Sequence, residues 1–313
     1  MSNETPLLEL KNLHVGIPTR RDDGTIVRDV SFSILPGEAF GLVGESGSGK
    51  SLTALSLIRL LKKPLKVTDG QILFKGSDLR ALPDRAMRDL RGDRIAMIFQ
   101  EPMTALNPLK TVGRQIAEMF VLHQGKSWDE AGKLAIEALA SVKVPAPEER
   151  VRAYPFQMSG GMRQRVMIAI ALACDPDLLI ADEPTTALDV TVQDEVLKLI
   201  AELCSARGTA VLLISHDLGV IANMCQRVGV MYAGRLVEER DTYDLFADPR
   251  HPYTKGLLGA LPRLGSRFDG GRRRLVDIDG LIADKTSLLQ EFCHQPRNPV
   301  RDPRDRAMAE GTP

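Results

Sequence analysis

The stretch that decides the fold reads Gly44-Glu45-Ser46-Gly47-Ser48-Gly49-Lys50-Ser51. It follows an apolar run at residues 39–43 that is typical of a β-strand, and it precedes leucines at helical spacing. Its form, G-x-x-x-x-G-K-[ST], lets the backbone curl so that successive N–H groups point inward at phosphate oxygens. A helix that begins near Lys50 adds the positive end of its dipole. This segment, here called the phosphate loop, therefore predicts binding of a phosphorylated ligand.

The last two residues of the phosphate loop narrow the ligand to a nucleotide. Lys50 is long enough to reach the β- and γ-phosphates, and the Ser51 hydroxyl can ligate Mg²⁺. A dinucleotide-binding loop is excluded because the chain has no G-x-G-x-x-G string. A kinase, a GTPase or a motor protein would still fit this loop.

A second acidic element favours a hydrolase. The run Leu178-Leu179-Ile180-Ala181-Asp182-Glu183 predicts a buried strand that delivers two carboxylates at its C-terminal end, where ligands bind in open α/β sheets. We expect Asp182 to be the Mg²⁺ partner of Ser51. By the two-residue period of a strand, Glu183 points to the other side and is placed to polarise an attacking water.

Composition limits the class of protein. The 313 residues are 43% hydrophobic and 26% charged, as in an ordinary globular chain, and 41 basic residues balance 41 acidic ones. No global positive field draws the chain to nucleic acid, so nucleic acid is not an expected partner. The longest strongly apolar run, Val166–Cys174, is far shorter than the roughly 20 residues of a membrane span.

The chain termini and the cysteines suggest a reducing compartment. The opening MSNETPLLEL lacks the charged and apolar regions of a signal peptide. The four cysteines are widely spaced and form no C-x-x-C pair, which favours a cytoplasmic setting. They are Cys174, Cys204, Cys225 and Cys293.

Strands and helices alternate along the main body, which predicts an α/β fold with a largely parallel sheet. Residues 110–172 read as a helical subdomain rich in Ala, Glu and Lys, and residues 227–239 as a β-hairpin around Ala233-Gly234. Beyond residue 240 the composition shifts to Pro, Arg, Asp and Gly. We therefore expect a domain over residues 1–240 and an extension over 241–313 with a disordered end.

Several ordered motifs together resemble the nucleotide-binding subunits of ABC transporters. The segment Ser159-Gly160-Gly161-Met162-Arg163-Gln164-Arg165, here called the signature segment, resembles the family's signature. Ile98-Phe99-Gln100 is similar to the Q-loop, Ala187-Leu188-Asp189 to the D-loop and Ile214-Ser215-His216-Asp217 to the switch region. The similarity covers about residues 7–240.

The resemblance implies the fold and the site. The fold would be a P-loop cassette with a RecA-like parallel-sheet core, an antiparallel β subdomain and a helical subdomain that docks a permease. Ser159 and the two glycines after it would face the γ-phosphate that an opposite subunit binds. The sequence also predicts that Ser159 caps a helix. The other implied contacts to nucleotide, Mg²⁺ or water come from Gln100, Met162, Asp189, Glu183 as general base, and His216.

A narrower resemblance points to the dipeptide and oligopeptide importers. Met162 stands where most ABC proteins carry glutamine, and Asp248-Pro249-Arg250-His251-Pro252-Tyr253-Thr254 is similar to that group's HPYT segment. The group also includes importers of nickel, glutathione, opines and sugars. These alternatives stay open, as does a soluble ABC ATPase that is not coupled to a membrane.

Two positions depart from the family pattern. Many members end in a cysteine-rich segment thought to hold an iron–sulfur cluster, but here Asn298 stands in the place of the cysteine that would follow Cys293. One thiol cannot hold a cluster that needs four ligands, so no iron–sulfur cluster is expected. Ile17 occupies the place of the aromatic residue that stacks on adenine.

The sequence and the resemblance together imply an ATPase that uses ATP and Mg²⁺ to drive import. The narrower resemblance implies that the imported substrates are dipeptides or oligopeptides. The expected partners are a second, non-identical ATPase subunit, two membrane permease subunits and, indirectly, a periplasmic or extracellular substrate-binding protein. The expected location is peripheral, on the cytoplasmic face of the inner membrane.

Overall fold

A computed structural model describes residues 5–18, 24–100, 105–186 and 188–260. Its strands are β1 (Leu8–Gly16), β2 (Thr25–Ile34), β3 (Ala39–Val43), β4 (Lys66–Phe74), β5 (Ser77–Asp78), β6 (Ile95–Ile98), β7 (Leu178–Asp182), β8 (Ala210–Ile214), β9 (Arg227–Tyr232) and β10 (Arg235–Asp241). Its helices are α1 (Lys50–Leu57), α2 (Asp84–Leu90), α3 (Val112–Gln124), α4 (Trp128–Ser141), α5 (Pro147–Arg150), α6 (Gly160–Leu172), α7 (Val190–Arg207), α8 (Leu218–Met224), α9 (Thr242–Ala247) and α10 (Pro252–Gly259).

The larger sheet has six strands in the order β10-β9-β3-β8-β7-β6. Strands β9, β3, β8, β7 and β6 are parallel, and only the β9–β10 hairpin is antiparallel. The expected α/β fold with a largely parallel core is therefore present. Because the strands are parallel, the segments that follow β3, β6, β7 and β8 emerge at one edge of the sheet, and this edge carries the site.

The smaller sheet is antiparallel, with the order β2-β1-β4-β5. It packs beside the larger sheet, and the rings of Phe32 and Phe40 stack with their centroids 4.9 Å apart. A backbone hydrogen bond of 2.7 Å from Arg28 to Gly234 also joins β2 to the hairpin turn. The antiparallel β region is thus fixed beside the start of α1.

The central strands β3, β7 and β8 of the larger sheet are buried on both faces. Leu178 and Ile180 face a core shared with the smaller sheet, whereas Leu179 and Ala181 face a second core shared with the helices of the other layer. This two-residue alternation with apolar side chains on both sides explains why the strands read as continuous apolar runs.

Residues 110–172 contain helices and one short 3₁₀ turn but no strand. Ser127 caps α4 and forms a capping box with Glu130, while Thr111 caps α3. The apolar faces of these helices enter the second core through residues such as Phe120 and Leu139. The proposed boundary near residue 240 stays a prediction, since β10 leads directly into α9.

Within the described residues, no helix combines the length and the apolar character that crossing a membrane requires. Residues 261–313, which include Cys293 and Asn298, lie outside the described residues. The expectations of a disordered end and of a missing iron–sulfur cluster fall on that segment and stay predictions.

Candidate active site

The phosphate loop lies between β3 and α1, as its motif predicted. Gly44, Gly47 and Gly49 have φ values of 149°, 84° and 103°, which residues with a side chain rarely adopt. At Gly44 space is also limiting, because an added Cβ would lie 2.1 Å from the carbonyl oxygen of Met231. The path of the loop therefore requires glycine at its first position for two reasons.

Lys50 is buried and folds back over the loop. Its Nζ donates hydrogen bonds to the carbonyl oxygens of Gly44 at 2.7 Å and Glu45 at 2.9 Å. Burial lowers the pKa of Lys50, and the nearby carboxylates of Glu183 and Asp182 act in the opposite direction. The ammonium group is thus held inside the loop, where an incoming phosphate would meet it.

Ser51 and Asp182 meet although 131 residues separate them in sequence. The Ser51 hydroxyl donates a hydrogen bond of 3.0 Å to Asp182 Oδ1. Asp182 is buried at the end of β7, and burial raises its pKa. The structure therefore brings together the two oxygen ligands that the sequence predicted.

This donor set fits Mg²⁺. A hydroxyl and a carboxylate are hard oxygen ligands, and Mg²⁺ is usually bound by one or two carboxylates with substrate phosphates and water. Among the described residues, no group of three or more His, Cys, Asp or Glu side chains could hold a metal without a ligand. A magnesium ion here would therefore take its remaining ligands from a bound nucleotide and water.

Glu183 lies just beyond β7 with φ 46°, a left-handed conformation that is uncommon for a residue with a side chain. The strand ends at Asp182, so its two-residue alternation does not set the direction of Glu183, contrary to the sequence argument. Instead, a hydrogen bond of 3.0 Å from the Glu183 amide to the Ile214 carbonyl fixes the turn. Strain of this kind is often found at functional sites.

Three side chains surround the Glu183 carboxylate. Gln100 Nε2 and Thr186 Oγ1 each donate to Oε2 at 2.9 Å, and His216 Nδ1 lies 3.5 Å from Oε1. Gln100 and His216 were predicted at this site from the motifs. Thr186 was missed, because a threonine in a Pro-Thr-Thr turn has no distinctive signal.

Two small cavities open at this edge of the sheet. The first, of about 170 Å³, is lined by Ser46, Gly47, Gly49, Lys50, Ser51, Leu52, Gln100 and Glu183. The second, of about 120 Å³, is lined by Glu183, Thr185, Thr186, Gln193, Ser215 and His216. Glu183 lines both cavities, so its carboxylate stands between the phosphate cradle and His216.

The signature segment lies away from this site. Ser159 caps α6 through its hydroxyl, which accepts from the Met162 amide at 3.3 Å, as the sequence predicted. A Cβ on Gly161 would lie 2.9 Å from Val192 Cγ1, so the start of α6 packs closely against α7. Asp189, in turn, caps α7 through the Val192 amide at 3.0 Å.

Six of the predicted nucleotide contacts are thus not assembled with the phosphate loop. Among the described residues, the lining of the two cavities at this edge includes none of Ser159, Gly160, Gly161, Met162 and Asp189. Ile17 also lies outside that lining, exposed at the end of β1. Ile17 comes two residues after Val15, which pairs with Val27 of β2. Val27 lies close to the phosphate loop, because a Cβ added at Gly49 would contact its side chain.

One further residue reaches the phosphate loop from the C-terminal extension. The hydroxyl of Tyr253, from the HPYT string, accepts a hydrogen bond of 3.1 Å from the Glu45 amide. The sequence analysis identified the HPYT string by its resemblance to the peptide importers, but it did not predict where the tyrosine lies in the fold.

The sequence was compared with known families. The model of the ABC transporter family matches residues 27–186, about half of the chain, including the phosphate loop and Glu183. The chain belongs to this family. A second model, the C-terminal region of oligopeptide/dipeptide transporters, matches residues 237–281.

Relatives with curated names extend the match. A probable peptide ABC transporter ATP-binding protein of Sinorhizobium fredii is 52% identical over 277 residues, covering 88% of this chain and 82% of the relative. The dipeptide transport ATP-binding protein DppD of Bacillus subtilis is 51% identical over 279 residues, covering 89% and 82%. The identification as an ABC transporter subunit, made from the motifs, is confirmed.

A solved structure agrees with the fold. It is a dimeric ATP-binding cassette in a post-hydrolysis state with ADP and Pi, 28% identical, with a TM-score of 0.66 over 75% of this chain and 98% of its own. This ABC chain therefore has the P-loop cassette fold, as predicted, and is an ATPase of that family.

Proposed function

We propose that this ABC chain is the ATP-hydrolysing subunit of an importer for dipeptides or oligopeptides. The observation that supports the ATPase assignment is the cluster at the phosphate loop, where Ser51 and Glu183 line one cavity and Asp182 accepts a hydrogen bond from Ser51. The peptide half is supported by the names of the relatives and by the matched C-terminal region.

The phosphate loop binds the triphosphate of ATP. Its amides and the Lys50 ammonium offer positive charge in a buried setting, where electrostatic interactions are stronger than in water. Ser51 and Asp182 would hold Mg²⁺, with Gln100 beside them. When bound, Mg²⁺ would neutralise phosphate charge and so favour attack on the γ-phosphate.

Glu183 acts as the general base. Its carboxylate is held next to the phosphate cradle, and it accepts a proton from the attacking water. Gln100 and Thr186 both donate to Oε2 and so orient the carboxylate. The carboxylate keeps acceptor sites for the attacking water, since its two oxygens together can accept about four hydrogen bonds. His216, beside Oε1, contributes a group that can contact the γ-phosphate.

The signature residues complete the site of an opposite subunit. Ser159, Gly160, Gly161 and Met162 form a helix start in which the Ser159 hydroxyl caps the Met162 amide, and the N–H groups of the first turn that make no intrahelical bond are offered to an anion. Their separation from the phosphate loop of the same chain supports pairing of two ATPase subunits. Asp189, which caps the neighbouring α7, would lie at the same contact.

The other partners follow from the family. We propose that a second, non-identical ATPase subunit and two membrane permease subunits complete the transporter, which a periplasmic or extracellular binding protein supplies with substrate. The chain would then sit peripherally on the cytoplasmic face of the inner membrane. The helices of residues 110–172 would dock on the permease.

Reconstitution tests this proposal. The chain, co-purified with its permeases and any second ATPase subunit, is placed in lipid vesicles, and Mg²⁺-dependent ATP hydrolysis is measured with the binding protein present. We expect hydrolysis to rise with dipeptides or oligopeptides and labelled peptide to accumulate. Stimulation by nickel, glutathione, an opine or a sugar instead would overturn the peptide assignment but leave the ATPase assignment intact.

Failure of the chain to join any permease, with ATP hydrolysis retained, would favour a soluble ABC ATPase. The same preparation decides the subunit composition. A transporter that contains this ATPase polypeptide in two copies, with no second kind, would contradict the proposed heterodimer.

A further inference from the structure

Tyr253 joins the C-terminal extension to the phosphate loop. It is fully buried and is among the largest side chains in the described residues with that degree of burial. Its hydroxyl lies 3.1 Å from the Glu45 amide nitrogen and accepts its hydrogen bond, across 208 residues of sequence. The role of Tyr253 therefore extends beyond packing.

The hydrogen bond is made to a peptide group that also holds Lys50. The Glu45 N–H and the Gly44 carbonyl belong to one peptide unit, and that carbonyl accepts from Lys50 Nζ at 2.7 Å. A peptide unit is planar, so fixing its N–H also fixes the direction of its carbonyl. Tyr253 and Lys50 thus hold the two ends of the same group.

The backbone at this point needs an external support. Gly44 has φ 149°, a conformation open to glycine, and glycine is also the residue with the greatest backbone freedom. Glu45 itself is only half-buried. Without the tyrosine hydroxyl, the Gly44–Glu45 peptide unit would lose the partner of its N–H group and could rotate more freely.

Tyr253 is in turn fixed from the body of the chain. Its ring packs on Tyr232 at the end of β9, with centroids 4.5 Å apart. The Glu238 carboxylate on β10 accepts from the amides of Arg250 and His251, both at 2.9 Å, and so anchors the turn before α10. Burial raises the pKa of Tyr253, so the hydroxyl stays protonated at neutral pH.

From these contacts we propose that Tyr253 is a positioning residue for ATP binding: it orients the Gly44–Glu45 peptide unit, and through it Lys50. This inference rests on the proposed binding of ATP at the phosphate loop. The C-terminal extension then contributes to nucleotide affinity directly, through the HPYT string, and movement of residues 251–260 would change that affinity.

The test is Tyr253→Phe, which keeps the ring against Tyr232 and removes the acceptor for the Glu45 amide. We expect the KM for ATP to rise about 2–10-fold, the range that one neutral hydrogen bond contributes, with kcat nearly unchanged. A contact that helps ground state and transition state equally changes KM and leaves kcat alone. An unchanged KM would overturn the proposal.

Two control variants separate positioning from stability. Tyr243→Phe removes a hydroxyl from an exposed tyrosine of α9, and Leu245→Val removes a methylene from a fully buried side chain of the same helix. We expect both to keep the wild-type KM, even where Leu245→Val lowers the melting temperature as much as Tyr253→Phe does. A rise in KM with Leu245→Val of the same size would show that Tyr253 acts through stability only.

Hydrogen exchange gives a readout without ATP. We expect the Glu45 amide to exchange about 2–10-fold faster in Tyr253→Phe than in the wild type, and at the wild-type rate in Tyr243→Phe. Equal protection in all three would overturn the inference. An inactive wild-type chain would instead contradict the proposed ATPase function, while the exchange experiment would still report on Tyr253.

Discussion

The phosphate loop and the signature segment are both glycine-rich starts of helices, yet among the described residues only the first lies beside the side chains proposed for catalysis. Around the phosphate loop, Ser51 reaches Asp182, and Gln100 reaches Glu183. Around the signature segment, the contacts are structural: Ser159 caps α6, and Gly161 leaves room for Val192.

The difference shows which interactions a single chain can complete. A helix start with free N–H groups attracts an anion, but catalysis also needs a cation, a base and metal ligands held in place. The residues proposed for these roles, Lys50, Glu183 and the Ser51–Asp182 pair, meet beside the phosphate loop because four parallel strands end there. Within the described residues, the signature segment lines neither cavity of that site and presents a capped helix start, which is the arrangement expected of a surface that completes the site of another subunit.

The largest expected effect is at Glu183. Glu183→Gln should keep ATP binding but lower the hydrolysis rate about 10²–10⁴-fold, because a positioned general base contributes that much. Single-turnover hydrolysis and equilibrium binding of ATP measure the two quantities separately. Glu202→Gln, a change of the same kind on a surface ion pair with Lys143, should leave both unchanged. Wild-type turnover in Glu183→Gln would show that the phosphate-loop site works without this base.

A smaller effect is expected at Ser159. Ser159→Ala removes a cap and should lower the free energy of unfolding by about 1 kcal/mol. If the signature segment also faces phosphate on another subunit, hydrolysis by the assembled pair should fall about 10–100-fold, the range for a hydrogen bond to a charged group. ATP binding to the isolated chain should not change.

Ser127→Ala is the matched control, since Ser127 caps α4 with the same geometry: its hydroxyl accepts at 3.3 Å from the Glu130 amide. It should cost similar stability and leave hydrolysis by the pair intact. An equal fall in hydrolysis for both serines would mean that the signature segment has only a structural role, and the comparison would no longer support a shared site.

A third effect concerns adenine. Ile17 lacks a ring on which the base can stack, so phosphate contacts should carry most of the binding and ATP should be only weakly preferred over GTP. Ile17→Tyr should tighten ATP binding about fivefold, which corresponds to the lower end of the roughly 1–3 kcal/mol that base stacking on an aromatic contributes. Titration of ATP and GTP against Ile17→Tyr and the ringless control Ile17→Leu measures this. A strong ATP preference that neither variant changes would refute the role of Ile17.

The last prediction concerns the iron content of the purified protein, for which we expect no signal. With Asn298 in place of a cysteine, Cys293 has no partner thiol nearby in sequence, so the protein purified without oxygen should hold no stoichiometric iron or acid-labile sulfide. Iron analysis checks this, and a brown protein with both would contradict it.

The residue types of the site could be predicted from the sequence because each motif consists of neighbouring residues. Eight consecutive residues define the phosphate loop, and an apolar run followed by two acids defines the end of β7. The side chains that contact Glu183 could be predicted only in part. Gln100 and His216 belong to recognisable motifs, but Thr186 is a common residue whose role depends on where its hydroxyl points.

The sequence by itself determined the chemistry: a phosphate-binding loop, two oxygen ligands suited to Mg²⁺, a candidate base and a capped helix start. Tertiary structure decided which of these meet. Ser51 reaches Asp182 because β3 and β7 are parallel strands of one sheet, separated only by β8. Strand order is a long-range property that local pattern does not encode, and the same holds for the turn of Glu183 toward Gln100 and for the contact of Tyr253 with Glu45.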